Sequence, residues 1–143
     1  MGNPLTVEDS FGLRVLQKIR LAADQPNIDL LDAHTDLLGY IDRFASYPLV
    51  VIVDALLDPN GILCSPGEVS TLEEVALLSL PDDSPSIHQI SPVVALKLFR
   101  KLHPEATTRI FLVAYCTRAV GYSGILDEAV VAQAASQVLR LVQ

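Results

Sequence analysis

The run Leu49-Val50-Val51-Ile52-Val53, opened by Pro48 and closed by Asp54, constrains the fold more than any other stretch of this chain. Consecutive aliphatic residues, mostly β-branched, suit a strand covered on both faces, the setting of a central strand in a parallel sheet. A strand with one face in water would alternate apolar and polar side chains instead. The run Thr108-Arg109-Ile110-Phe111-Leu112-Val113-Ala114-Tyr115 reads as a second strand of the same kind. Residues 28–31 and 61–65 read as two shorter strands, the second at an edge.

Helical spacing fills the intervals. Phe11, Val15, Ile19 and Ala22 line one face of a helix expected over residues 10–23, which Asp24-Gln25-Pro26-Asn27 ends. Thr35 is placed to cap a second helix, with Leu37, Leu38, Ile41 and Phe44 inward. A short helix is expected over 71–78, with Glu73 and Glu74 in its first turn, where they favour the helix dipole. Ser91-Pro92 reads as the cap and first residue of a helix over 92–102, and a last helix is expected over 127–141. Residues 58–61, 81–86 and 121–124 read as turns or loops. Helices alternating with buried strands predict a single α/β domain over residues 1–143, a three-layer α/β/α sandwich with a mostly parallel sheet. At 143 residues, 50% hydrophobic and 19% charged, the chain has the apolar content to build such a core.

Charge excludes one class of partner. The net charge is -7 and the pI about 4.7, which argues against binding a phosphate backbone. The densest positive cluster, Lys97, Arg100 and Lys101, has the spacing of a solvated helix face. No apolar stretch approaches the roughly 20 residues of a membrane helix, and the opening Met1-Gly2-Asn3-Pro4 has neither the basic nor the apolar part of a signal peptide. The expectation is a cytoplasmic protein with no membrane partner. Cys64 and Cys116 form no close motif; buried, reduced thiols are expected of cytosolic cysteines, and a disulfide stays open as the alternative.

Three polar positions stand out as candidates for chemistry. Glu8-Asp9 precedes the first helix, where acids also serve the helix dipole. Asp54 follows directly on a buried apolar run, where a carboxylate is costly unless paired or bound to a cation. Ligands of open α/β sheets sit at the carboxyl ends of the strands, which singles out Asp54 by position. His88, in Ser86-Ile87-His88-Gln89, lies just ahead of the 92–102 helix, where a loop histidine can equally be a solvated or capping residue. Together two carboxylates and an imidazole form a ligand set suited to a first-row metal such as nickel, zinc or iron. No order of serine, histidine and aspartate, and no activated cysteine, supports a covalent mechanism.

These residues lie in a pattern that resembles the hydrogenase maturation endopeptidases. That family opens with a pattern like G-N-x-L-x-x-D-[DE]-G-x-G, and this chain has Gly2-Asn3-Pro4-Leu5-Thr6-Val7-Glu8-Asp9-Ser10-Phe11-Gly12. The family's hydrophobic strand ending in D-A is matched by Val50-Val51-Ile52-Val53-Asp54-Ala55, and its later histidine by Ser86-Ile87-His88-Gln89. Its C-terminal pattern is similar to Gly121-Tyr122-Ser123-Gly124-Ile125-Leu126-Asp127-Glu128-Ala129-Val130. The order and spacing hold over nearly the whole chain.

The resemblance implies that Asp9, Asp54 and His88 contact metal. It implies a protease that removes the C-terminal extension of a nickel–iron hydrogenase large-subunit precursor once nickel is loaded. The metal would be the precursor's nickel, used for recognition, or another divalent ion acting on the scissile bond or on water. A non-catalytic protein that reads nickel with the same ligands is the alternative. Peptidyl-tRNA hydrolase, another α/β protein opening with G-N-P, is a weaker match, because its histidine–asparagine motif is missing and the acidic charge disfavours tRNA.

The chain departs from the family pattern at several points. Glu8 stands where Asp is usual and Ser10 where Gly is usual. The family's D-G-G-T region is matched by Asp32-Ala33-His34-Thr35 without its glycines, which casts Asp32 and His34 as shaping the cleft. The family also has an apolar strand ahead of G-x-G-N. Here the sequence opens at Met1-Gly2-Asn3, so the expected sheet lacks its first strand, with the place left open or completed by another segment or chain.

Overall fold

The structure, a computed structural model, describes residues 1–22, 27–58, 61–80, 91–118 and 126–143. A 3-10 turn over Glu8–Ser10 leads into helix α1, Phe11–Ala22. A second 3-10 turn, Leu38–Tyr40, leads into the short helix α2, Ile41–Phe44. Strand β1 spans Leu49–Leu57, β2 Val69–Glu73, and helix α3 follows at Glu74–Leu78. Helix α4 is Pro92–Leu102, strand β3 Arg109–Thr117 and helix α5 Glu128–Val142.

The two long apolar runs pair with each other. β1 and β3 are parallel, from Leu49 opposite Arg109 to Leu57 opposite Thr117. β2 lies antiparallel on the other side of β3, from Val69 opposite Tyr115 to Glu73 opposite Phe111. The sheet order is β1-β3-β2. The protein is therefore a mixed α/β fold whose sheet is small, open and mixed, where a mostly parallel sheet was expected. β3 is the central strand, and β1, expected in the centre, stands at an edge.

Side chains alternate along β3 between two clusters. Ile110, Leu112 and Ala114 join Phe99 and Leu96 of α4, Phe44 of α2 and Leu77 of α3. Val113 and Tyr115 join Phe11, Val15 and Ile19 of α1 with Val131, Ala134 and Val138 of α5. The faces that the helical spacing marked as inward divide between them, Leu37, Ile41 and Phe44 joining the first cluster and Phe11, Val15 and Ile19 the second, while Ala22 is exposed. Caps sharpen two of these helices: the Ser91 hydroxyl accepts from Val94 N at 3.2 Å, and the Asp127 carboxylate accepts from Ala129 N at 2.8 Å.

Four local expectations give way. Residues 28–31 form no strand, because no neighbour supplies their backbone with a ladder. Residues 61–65 form no strand, with bends at 62–64; the strand that follows is β2, which takes the residues expected to begin a helix and leaves α3 only Glu74–Leu78. Thr35 caps nothing, since helical structure begins only at Leu38. Arg100 is not on a solvated face. Its guanidinium grips Glu74 at 2.5 and 2.6 Å and donates at 2.6 Å to the carbonyls of Ala106 and Thr108. The Glu74 hydrogen bond and charge hold the Arg100 pKa above its usual value, against the opposing effect of burial.

The cysteines are paired. Cys64 and Cys116 form a disulfide with Cα atoms 6.0 Å apart, where reduced thiols were expected. The loop after β1 brings them together: the Asp58 carboxylate accepts from Leu63 N at 2.7 Å and Cys64 N at 3.2 Å. Burial alone would raise the Asp58 pKa, but backbone N–H groups of Leu63, Cys64, Ile62 and Gly61 outweigh it and hold the group below its ordinary value.

Candidate functional site

The N-terminal residues are threaded between β1 and the start of α1. The Met1 ammonium donates to Val53 O at 2.8 Å, Gly2 N to His34 O at 2.6 Å and Asn3 N to Asp9 O at 3.0 Å. Two glycines make this possible. A Cβ on Gly2, whose φ is +140°, would lie 1.8 Å from Asp9 O, and one on Gly12 would lie 2.1 Å from Met1 O and 2.6 Å from Val53 O. The glycines of the opening motif thus let three backbone segments meet where the carboxylates are.

Asp54 is 2% exposed and Asp9 6%. Asp54 does not end its strand: β1 continues through Ala55-Leu56-Leu57, because Tyr115, Cys116 and Thr117 extend the ladder beside them. One Asp54 carboxylate oxygen accepts from Ala55 N at 2.9 Å. Asp9 sits in the 3-10 turn before α1. Both carboxylates act on the Met1 ammonium, and so does Asp32. Burial lowers the Met1 amine pKa, and Asp54, Asp32 and Asp9, in that order, pull it back up without restoring it.

Asp32 and His34 form the neighbouring wall. An Asp32 oxygen accepts from His34 N at 2.9 Å, and His34 adopts the left-handed conformation with φ 48°. The His34 ring is 76% exposed, with Nδ1 3.7 Å from Asp32. The turn presents the His34 carbonyl to Gly2 N.

Tyr115 belongs to the same neighbourhood and was not singled out in the sequence. It is the partner of Ala55, its ring lies 5.4 Å from that of Phe11, and burial followed by the Glu8 charge raises its pKa. Its signal was its place at the end of the second apolar run, level with the residue after Asp54. His88 lies outside the described residues. Among the described residues no three His, Cys, Asp or Glu side chains are placed to hold one metal ion.

Asp9 and Asp54 are thus two buried carboxylates, Asp54 in the carboxyl half of the parallel pair and Asp9 in the turn ahead of α1, and a buried carboxylate is costly unless it is paired or bound to a cation. The fold is that of the [NiFe] hydrogenase maturation proteases. The maturating endopeptidase HybD from E. coli superposes with a TM-score of 0.73 at 19% identity, over 99% of this chain and 87% of that one. The [NiFe] hydrogenase maturation protease HybD from Thermococcus kodakarensis gives 0.73 at 20% identity, over 99% and 95%. The maturation protease HycI from T. kodakarensis KOD1 gives 0.65 at 19% identity, over 99% and 85%. No protein-family profile and no curated protein matches the sequence.

Proposed function

We propose that this protein is an endopeptidase of hydrogenase maturation, which removes the C-terminal extension of a nickel-loaded [NiFe] hydrogenase large-subunit precursor. The observation that carries the reading is the burial of Asp9 and Asp54, two of the three positions the resemblance singles out, in a fold whose solved examples bear the names of maturation proteases. In this reading Asp9, Asp54 and His88 grip the precursor's nickel, or another divalent ion. Carboxylate oxygens and an imidazole nitrogen are suitable donors for either. Bound there, the metal would mark the loaded precursor or polarise the scissile carbonyl.

The same reading includes a three-layer arrangement, supported by the two clusters that share β3. It also includes a cytoplasmic location. Among the described residues no helix is long and apolar enough to cross a membrane. The Cys64–Cys116 disulfide weighs against the cytoplasm, where thiols are kept reduced.

The second reading is a non-catalytic protein that only reads nickel with the same ligands. The deciding experiment incubates nickel-loaded precursor with the protein and follows the precursor's C-terminus by mass spectrometry. Cleavage is expected, lost in Asp54→Asn and His88→Ala while circular dichroism stays unchanged. Binding without cleavage by the unsubstituted protein supports the reader. Full cleavage by Asp54→Asn would remove that carboxylate from the mechanism.

A further inference from the structure

The loop between β1 and β2 is fastened to the sheet in three ways. At its start the Asp58 carboxylate accepts from Leu63 N and Cys64 N, and Asp58 N donates to Thr117 O at 2.8 Å. At its end Gly67 N donates to Cys116 O at 2.7 Å, and Cys116 N to Glu68 O at 2.9 Å. Between these the Cys64–Cys116 disulfide supplies a covalent tie. Its two sulfurs differ in access. Cys116 is fully buried, at 0% exposure, while Cys64 is only partly buried and residues 61–62 and 65–68 around it are exposed. A thiol arriving from solvent therefore meets Cys64 Sγ, and Cys116 is the leaving group.

The bond also lies close to Asp54. Alternation along β1 puts Ile52, Asp54 and Leu56 on one face of the sheet, and Ile52 and Leu56 belong to the first core cluster together with Ala114. Ala114 stands opposite Asp54, and Cys116 opposite Leu56. The disulfide is thus on the Asp54 face, two residues or about 7 Å further toward the carboxyl ends of the strands. A switch needs two folded states, and the surroundings supply them. Leu77, Leu96, Phe99 and Leu112 pack together without help from the crosslink, and the hydrogen bonds at both ends of the loop survive when it opens. Opening loosens the middle of the loop and leaves the sheet in place.

We propose that Cys64 is a site of thiol–disulfide exchange with a dithiol, and that the Cys64–Cys116 bond is a redox switch setting how firmly the 61–68 loop is held beside Asp54. One thiolate of the dithiol bonds to Cys64 Sγ. The disulfide breaks, its electron pair leaves on Cys116 Sγ, and that sulfur takes up a proton. The second thiolate then attacks the sulfur of the first and expels Cys64 as a thiolate, which is protonated in turn. The dithiol ends as a disulfide, and the protein gains two electrons and two protons. The reverse exchange closes the bond, so a reducing compartment keeps the loop loose and an oxidising one keeps it latched. This inference does not rest on the proposed enzymatic function and is tested without any hydrogenase.

The test uses the purified 143-residue chain, first without reductant and then with excess dithiothreitol, a small dithiol. Alkylation under denaturing conditions should modify neither cysteine before reduction and both after it. In the reduced protein, hydrogen exchange at the Leu63, Cys64 and Gly67 amides is expected to speed up by about tenfold or more. The Leu112 amide in the middle of β3 should stay the slower by about tenfold or more, and thermal unfolding should remain cooperative. The Cys64→Ser/Cys116→Ser double variant should show the fast loop without dithiothreitol and should not respond to its addition. Brief exposure to glutathione, a monothiol, followed by acid quenching should leave glutathione on Cys64 rather than Cys116, located by peptide mass spectrometry. Unchanged exchange at Leu63 and Cys64 on reduction would overturn the proposal. Loss of the cooperative transition on reduction would do the same, because the bond would then be a staple of the fold. So would glutathione on Cys116, or cysteines that alkylate before reduction.

Discussion

β1 and β3 are near twins in sequence and differ sharply in surroundings. Ile110 through Ala114 of β3 are all buried, with a strand on either side. In β1, Leu49, Val50, Val51 and Val53 are only partly buried, with a partner on one side and a groove on the other. A β-branched run records that a strand is meant to be covered; it does not record which neighbour does the covering. The contrast teaches that burial of such a run is a property of the whole sheet.

The contrast can be broken by trimming each strand. Leu112→Ala, at a side chain 1% exposed, is expected to cost about 3–5 kcal/mol in denaturant unfolding. Val51→Ala on the open edge should cost about 1 kcal/mol or less. Similar losses at both positions would mean that the β1 edge is as well covered as the centre.

A smaller effect comes from the far side of the sheet, where α4 meets α3. Arg100→Ala leaves Glu74, 15% exposed at its side chain, without its guanidinium and frees the carbonyls of Ala106 and Thr108. A loss of about 2–3 kcal/mol is expected by chemical denaturation. Lys101→Ala, one residue on and exposed, should change stability by no more than about 0.5 kcal/mol. Equal effects from the two substitutions would return Arg100 to the solvated face that its spacing suggests.

The smallest effect concerns the loop beyond β1, and it depends on pH. Asp58 has a folded pKa below its unfolded one. Its contribution is therefore fully present above the ordinary aspartate value of about 4 and is lost as pH falls through the folded value. Asp58→Asn removes that titration, so the variant's melting temperature should fall less than the parent's between about pH 4 and pH 2. An identical acid profile for the two would show that the loop's N–H groups do not depend on the charge.

Much of this protein was legible residue by residue because its signals are local. α4 begins and ends where Ser91-Pro92 and the apolar spacing placed it, since a cap and a periodic face act within a few residues. The apolar runs became β1 and β3 for the same reason. Asp54 was conspicuous as an acid closing an apolar run and Asp9 as an acid ahead of a helix, and both are buried. Only the tertiary structure decided the rest, because pairing depends on what else is in reach. It placed β3 rather than β1 at the centre, made β2 from residues that favour a helix as readily, and left residues 28–31 outside the sheet. It joined Cys64 to Cys116 across a sequence separation of 52, and it brought Asp9, Asp32 and Asp54 from separate segments close enough to Met1 for their charges to act on it. Contacts between distant segments leave no periodic trace in the chain, since each residue type is compatible with many partners and the packed whole selects among them.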